Sequence, residues 1–312
     1  MLFCFVLWNL FPKFAADTKN LNTMRHFYYL VMAVVCLVLT GCEKRIMEGS
    51  DEDNVLLRLS LYEQESFGTR SVQDISQWCS RVNVAFFKDG AKVKTVSQER
   101  SFTSFGNVPV QLEAGTYQVV VMAHSCSGSA TISTEDHVTF PDNMVTDTFY
   151  YYGTLSVTGD AQQFELVLQR CVAMFRLKVL DDFPSNAARI RFYYTGGSST
   201  FSPKAGYGSV NSRQSVMQVI ESGQKVFEVY TLPWSETGTL KMAITVYDSG
   251  NNILRELPLE DVPVTRNKIT SYSGALFGGP VDPTGGDPDT SSNGGMHLTA
   301  DGEWSGTVNQ TF

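Results

Sequence analysis

Residue types and spacing specify one covalent reaction in this chain, at Leu39-Thr40-Gly41-Cys42. A thiol that follows an apolar residue and two narrow ones suits lipoprotein processing. Cys42 Sγ takes up acyl groups, diacylglyceryl first and palmitate among them, while Thr40 and Gly41 leave the peptide bond ahead of it open to a signal peptidase. The upstream residues agree with this. Met24-Arg25-His26 is a basic start, and Tyr28 to Leu39 is an apolar run too short to span a bilayer comfortably. The competing reading makes Cys42 an ordinary thiol after a membrane anchor helix. A second apolar patch, Met1 to Phe14, precedes this complete leader, so translation is expected to begin at Met24.

Elsewhere the groups that perform catalysis are present but not assembled. His124, His137 and His297 have no metal-ligand spacing, and His124 with Cys126 is a lone pair expected to pack in the core or at an edge. Gly196-Gly197-Ser198-Ser199-Thr200 and Gly206-Tyr207-Gly208 read as turns, because no helix follows to aim backbone amides at a phosphate. There is no Gly-x-Ser-x-Gly elbow. Asp181-Asp182 would point to opposite faces of a strand, so a solvated turn is expected rather than an acid–base pair. No catalytic residue, metal set or cofactor site is expected, and the chain reads as non-enzymatic. Phe149-Tyr150-Tyr151-Tyr152 could offer an aromatic platform to a glycan, but edge-strand packing at a domain junction is the expected role.

Composition narrows the partners. Of 312 residues 43% are hydrophobic and 18% charged, as in a folded protein with room for two domains. A net charge of −8 repels phosphate backbones and excludes nucleic acid. Cys4 and Cys36 lie upstream of the cut, which leaves Cys79, Cys126 and Cys171 beyond Cys42. One disulfide with one thiol, or three thiols, are both open; small apolar core residues are the favoured reading.

The elements that carry these groups are strands. Val55, Leu57, Leu59 and Leu61 alternate with their neighbours, and Val82 to Phe86 repeats the rhythm. Tyr117 to Ala123 is apolar almost throughout, as in a strand covered on both faces. Turn signals such as Lys88-Asp89-Gly90 and Asp248-Ser249-Gly250 separate the runs. Short helices are expected at Val72 to Arg81 and Asn211 to Val219. The whole predicts an all-β fold of sandwich type, with a barrel as the alternative. Residues 1–41 form the extension and signal peptide, and 42–54 a polar tether with Ser50-Asp51-Glu52-Asp53. A boundary at Thr158-Gly159-Asp160 then divides a first sandwich, 55–158, from a second, 159–312. Residues 278–295 read as a flexible linker, and Met296 to Phe312, with Trp304, as a last strand-like segment.

Several segments resemble the fimbrillin-type subunits of Bacteroidales, specifically the FimB-type fimbrial subunit and anchor family. They are Val110 to Ala123, Leu166 to Pro184 with Arg170, Ala173 and Phe175, Ile190 to Gly208, and Val264 to Gly274. The acidic tether is similar to a surface-export signal of Bacteroidales lipoproteins. The resemblance implies two tandem transthyretin-like β-sandwich domains, outer-membrane anchoring through Cys42, and assembly with other fimbrial subunits by strand exchange. It also implies adhesion to a host or bacterial surface ligand. In stalk subunits an arginine-specific protease removes the leader and first strand, and Thr69-Arg70-Ser71 is placed for such a cut, although a solvated Arg70 is the plainer reading. Met296 to Phe312 is then either a donated strand or, as favoured, the last strand of the second domain with Trp304 in its core. A glycan-binding surface lipoprotein beside a nutrient importer is the alternative function.

Overall fold

The period-two alternation is realised as an all-β chain in the structure, a computed structural model that describes residues 54–63, 73–278, 304 and 307–311. The first ten strands are β1 (Asn54–Glu63), β2 (Gln73–Asp74), β3 (Arg81–Lys88), β4 (Ala91–Glu99), β5 (Asn107–Glu113), β6 (Gly115–His124), β7 (Thr131–Thr134), β8 (His137–Thr139), β9 (Phe149–Val157) and β10 (Gln162–Arg170). The next five are β11 (Ala173–Val179), β12 (Ala187–Ser198), β13 (Thr200–Ser202), β14 (Tyr207–Gly208) and β15 (Asn211–Val219). Then follow β16 (Val226–Thr231), β17 (Thr237–Asp248), β18 (Ile253–Thr265), β19 (Ile269–Gly274) and β20 (Thr307–Thr311).

Eight of the first ten strands form one sheet folded at a corner. In one layer β1 lies between β10, parallel to it, and β5, antiparallel to it, and β2 pairs with its last residues. The other layer runs β9-β6-β3-β4. The layers join where Gln169 and Arg170 of β10 pair with Tyr150 and Phe149 of β9. Leu57 and Leu59 of β1, with Leu166 and Leu168 of β10, meet Val84, Phe86, Val119 and Val121 across this first core. A second core lies between β16-β11-β19-β20 and β15-β12-β17-β18, around Phe175, Phe192, Tyr194, Phe227 and Ile244.

A third cluster connects them. The small sheet β14-β13-β8-β7 covers the other face of β3 and β6, so Val120 and Met122 pack with Val138 and Phe201 while Val119 and Val121 face the first core. This double cover is why Tyr117 to Ala123 needs apolar residues at consecutive positions. Met174, Leu232, Ile269 and Trp304 complete the same cluster from later in the chain. Cys79 lies in the first core, and Cys126 and Cys171 in the third, all as buried thiols.

The chain departs from its pattern in three places. Among the described residues of the Val72 to Arg81 stretch only Ile75–Gln77 is helical, a 3-10 turn started by Asp74 Oδ1 accepting from Ser76 N–H at 2.8 Å. Asn211 to Val219 is not a helix but β15, whose inward positions include Gln214 and Gln218. Polar residues at inward sites hid the alternation; Gln218 Nε2 donates to Glu228 O at 2.8 Å. The turn at Thr158-Gly159-Asp160 leads into β10, a strand of the first sheet, and the second core begins at Ala173.

Candidate functional site

The alternation of β10 carries Phe164, Leu166 and Leu168 inward, and Arg170 occupies the next inward position. A guanidinium placed there must be paired, because an isolated buried charge is too costly to hold. Its side chain is 2% exposed. Arg170 Nε donates to Asp147 Oδ1 at 2.8 Å and Nη2 to Oδ2 at 3.1 Å, a two-pronged pair. Nη1 donates to Asn267 Oδ1 at 3.1 Å, in the turn between β18 and β19. Burial pushes the Asp147 carboxyl above its ordinary pKa, against the opposing pull of Arg170.

Aromatic rings cover the rest of Arg170. Its Cζ lies 4.1 Å from the Trp304 ring centroid, 4.6 Å from Phe149 and 5.9 Å from Trp78. Trp304 also stacks on Tyr230 at 6.3 Å, within a cleft of about 440 Å³. It is buried, and it lies in the third cluster rather than in the core of the second sandwich. After it β20 pairs in parallel with β19, from Ile269↔Thr307 to Ser273↔Thr311, so the C-terminal segment folds back on its own chain. The departure of the chain from β19 is fixed as well. Asp181 Oδ1 and Oδ2 accept from the N–H groups of Leu276 and Phe277 at 2.7 and 2.6 Å. Asp181 is therefore a buried backbone clamp and not a solvated turn residue; only Asp182 faces water, where it pairs with Lys225 at 2.7 Å.

The aromatic run is used for packing. Phe149 is buried in the first core, Tyr151 packs on that core, and Tyr150 and Tyr152 pack on the third cluster. Tyr150 meets Phe201 edge-on at 4.8 Å, and Tyr152 O–H donates to Glu135 Oε2 at 2.8 Å. β9 is an interior strand, between β10 and β6, and not an edge strand.

His124 and Cys126 are core residues. His124 Nδ1 accepts from Cys126 N–H at 3.1 Å, which leaves Nε2–H to donate to Asn83 Oδ1 at 2.9 Å. Burial, then the charge of Arg81, lowers the His124 pKa to about 4. Below the ordinary value near 6.5 the unfolded chain takes up a proton that the folded chain refuses. Stability is therefore lost as pH falls from 6.5 towards 4, by about 3 kcal/mol. Urea denaturation through this window is expected to show that loss in the wild type and a flatter profile in His124→Gln.

Leu39, Thr40, Gly41, Cys42, Arg70 and His297 lie outside the described residues. Among the described residues no His, Cys, Asp and Glu side chains gather as a metal set. Sequence reasoning missed Arg170 and Asp181 as buried centres. The available signal for Arg170 was its place on the inward row of β10.

Comparisons with known proteins come last. The family described as "Family of unknown function (DUF6562)" matches residues 48–286. No curated protein sequence matches the chain. Among solved structures it is similar to a candidate adhesin from Bacteroides ovatus, at 15% identity and a TM-score of 0.43 over 70% of this chain and 87% of that one. It is similar also to the fimbrial anchor protein Mfa2 from Porphyromonas gingivalis, at 12% identity and 0.38 over 66% and 83%. The tip fimbrial protein Mfa3 of the same organism, with a C-terminal truncation, gives 10% identity and 0.39 over 70% and 94%.

Proposed function

The chain belongs to the DUF6562 family, and from that starting point we propose that it is a cell-surface fimbrial subunit or anchor, exported as a lipoprotein through Cys42 and assembled by exchange of a terminal strand. The observation that carries this is the place of β1. It precedes every other described strand, yet it sits inside its layer with β10 on one edge and β5 on the other. Its inward residues Val55, Leu57, Leu59 and Leu61 are at most 6% exposed. One covalent connection, through residues 64–72, ties it to the later strands.

Scission at Arg70 would free that connection. Loss of β1 leaves unpaired backbone along β10 and β5 and an open apolar face, and a strand from a neighbouring subunit running parallel to β10 satisfies both. β20 has the complementary property. It pairs in parallel with β19 at the end of its sheet, and a parallel pair contains no hairpin, so connection alone does not fix its partner. The adhesive partners are other subunits, the outer membrane through Cys42, and a surface ligand. A glycan site on Tyr150 to Tyr152 is less favoured, since those rings are engaged in the third cluster and the first core.

The mature N-terminus tests the reading. Mass spectrometry of fractionated cells is expected to find acylated Cys42 in the outer membrane if the protein is an anchor, or a start at Ser71 in purified fibres if it is a stalk or tip subunit. A soluble protein with an unmodified Cys42 would overturn both forms.

A further inference from the structure

The outer face of the β15-β12-β17-β18 sheet carries chemistry that strand exchange does not use. Ile190, Phe192 and Tyr194 of β12 enter the second core, so Arg189, Arg191 and Tyr193 point the other way. Register lays Met217, Arg191 and Thr245 side by side on that face, and Val219, Arg189, Tyr247 and Ile253 in the next row. An open antiparallel sheet face is ordinarily polar. Here Val219, Ile253 and Met217 are 63%, 58% and 48% exposed. Met217 and Val219 lie on one edge strand, β15, and Ile253 on the opposite one, β18, so exposed apolar side chains border the face on both sides.

At the centre is Arg191. Its Cζ lies 5.5 Å from the Tyr247 ring centroid and 6.0 Å from that of Tyr193, so two rings flank one cation. No carboxylate of the described chain pairs with it. Arg191 Nε and Thr245 Oγ1 beneath it are buried without a hydrogen-bond partner among the described residues, which leaves an incomplete polar site in the isolated chain. The surrounding charge is mixed. Arg189 and Arg213 share the face, and Arg189 is bonded to Asn251 and coupled electrostatically to Asp248. Lys241 is matched by Glu260 at 2.7 Å with Asp261 nearby, and Glu256 stands beside Thr245. Arg191 is thus singled out by its lack of a paired carboxylate and not by the net charge of the face.

We propose that this face binds an acidic polysaccharide, with a carboxylate or sulfate on Arg191 and sugar rings against Tyr193 and Tyr247. The guanidinium of Arg191, with Nε buried and unpartnered among the described residues, selects an anionic group, and a ring on each side of that one cation matches a chain whose charge recurs among pyranose rings. The inference names a ligand for the adhesive role but does not rest on strand exchange, because the face belongs to the second sandwich and leaves β1 and β20 untouched.

The test uses the purified full chain on immobilised polygalacturonate and chondroitin sulfate, with neutral dextran as the control. Retention on the acidic polymers that weakens as salt rises is expected, with none on dextran. Arg191→Gln is expected to weaken binding by about tenfold or more, the scale of one charge-assisted contact, while Arg191→Lys keeps part of it. Circular dichroism of the variants separates loss of the site from loss of the fold. Equal retention by Arg191→Gln overturns the proposal. So does the absence of retention on every acidic polysaccharide, including a case in which the face captures only an acidic protein.

Discussion

Arg170→Met is expected to lower the free energy of unfolding by about 3–5 kcal/mol, the cost of leaving a buried charge without its partner. The methionine replaces the stem of the side chain but not the donors, so Asp147 keeps a carboxyl in a dry site and Asn267 loses its contact. Trp304 loses the cation that covers its ring at 4.1 Å. Urea denaturation measures the loss. Arg170→Met combined with Asp147→Asn is expected to recover part of it, because the uncompensated charge is then gone; recovery of nothing would show that the ring contacts and not the ion pair dominate. Limited proteolysis of the single variant should cut first near Trp304, whose burial depends on the same guanidinium.

Deleting β1 should have a larger effect. Val55, Leu57, Leu59 and Leu61 are each worth roughly 1.5–3 kcal/mol of apolar burial, so their sum approaches the ~5–15 kcal/mol that holds a whole domain. A chain that begins at Ser71 is therefore expected to lose its cooperative unfolding transition. A synthetic peptide of residues 54–63 supplied in trans should restore it, with saturation that reports the affinity of the vacated slot. Failure of any strand-forming peptide to restore the transition, with the truncated chain still soluble, would remove the physical basis for exchange at this position.

The all-β architecture was legible because alternation is local. Four inward residues of β1, and the unbroken apolar run of β6, state their own exposure without reference to the rest of the chain. That the aromatic run packs was legible from four large rings in succession, but its place on an interior strand between β10 and β6, and not at an edge, was not. Buried charge is not legible in this way. The partners of Arg170 stand 23 and 97 residues away, at Asp147 and Asn267, and no local pattern announces them. Asp181 misleads for a similar reason. An acidic pair before a proline-containing turn looks solvated until Leu276 and Phe277 return, more than ninety positions later, to donate their amides. β15 was obscured by Gln214 and Gln218 on its inward row, which disrupt the apolar signal; Gln218 donates to Glu228 O of β16. The Arg191 face was missed because sequence shows the residues of each strand but not the register that lays them side by side.

The parallel pairing of β1 with β10 also sets an order of events in synthesis. β1 emerges early and finds its antiparallel neighbour β5 at Asn107–Glu113, but its other edge stays unpaired until β10 begins at Gln162. Long-range pairing of this kind is slow, and an uncovered apolar strand is a hazard for aggregation during the delay. A holdase that grips an extended apolar segment would find in β1 its natural substrate, and release would be complete when β10 arrives to compete for the open edge.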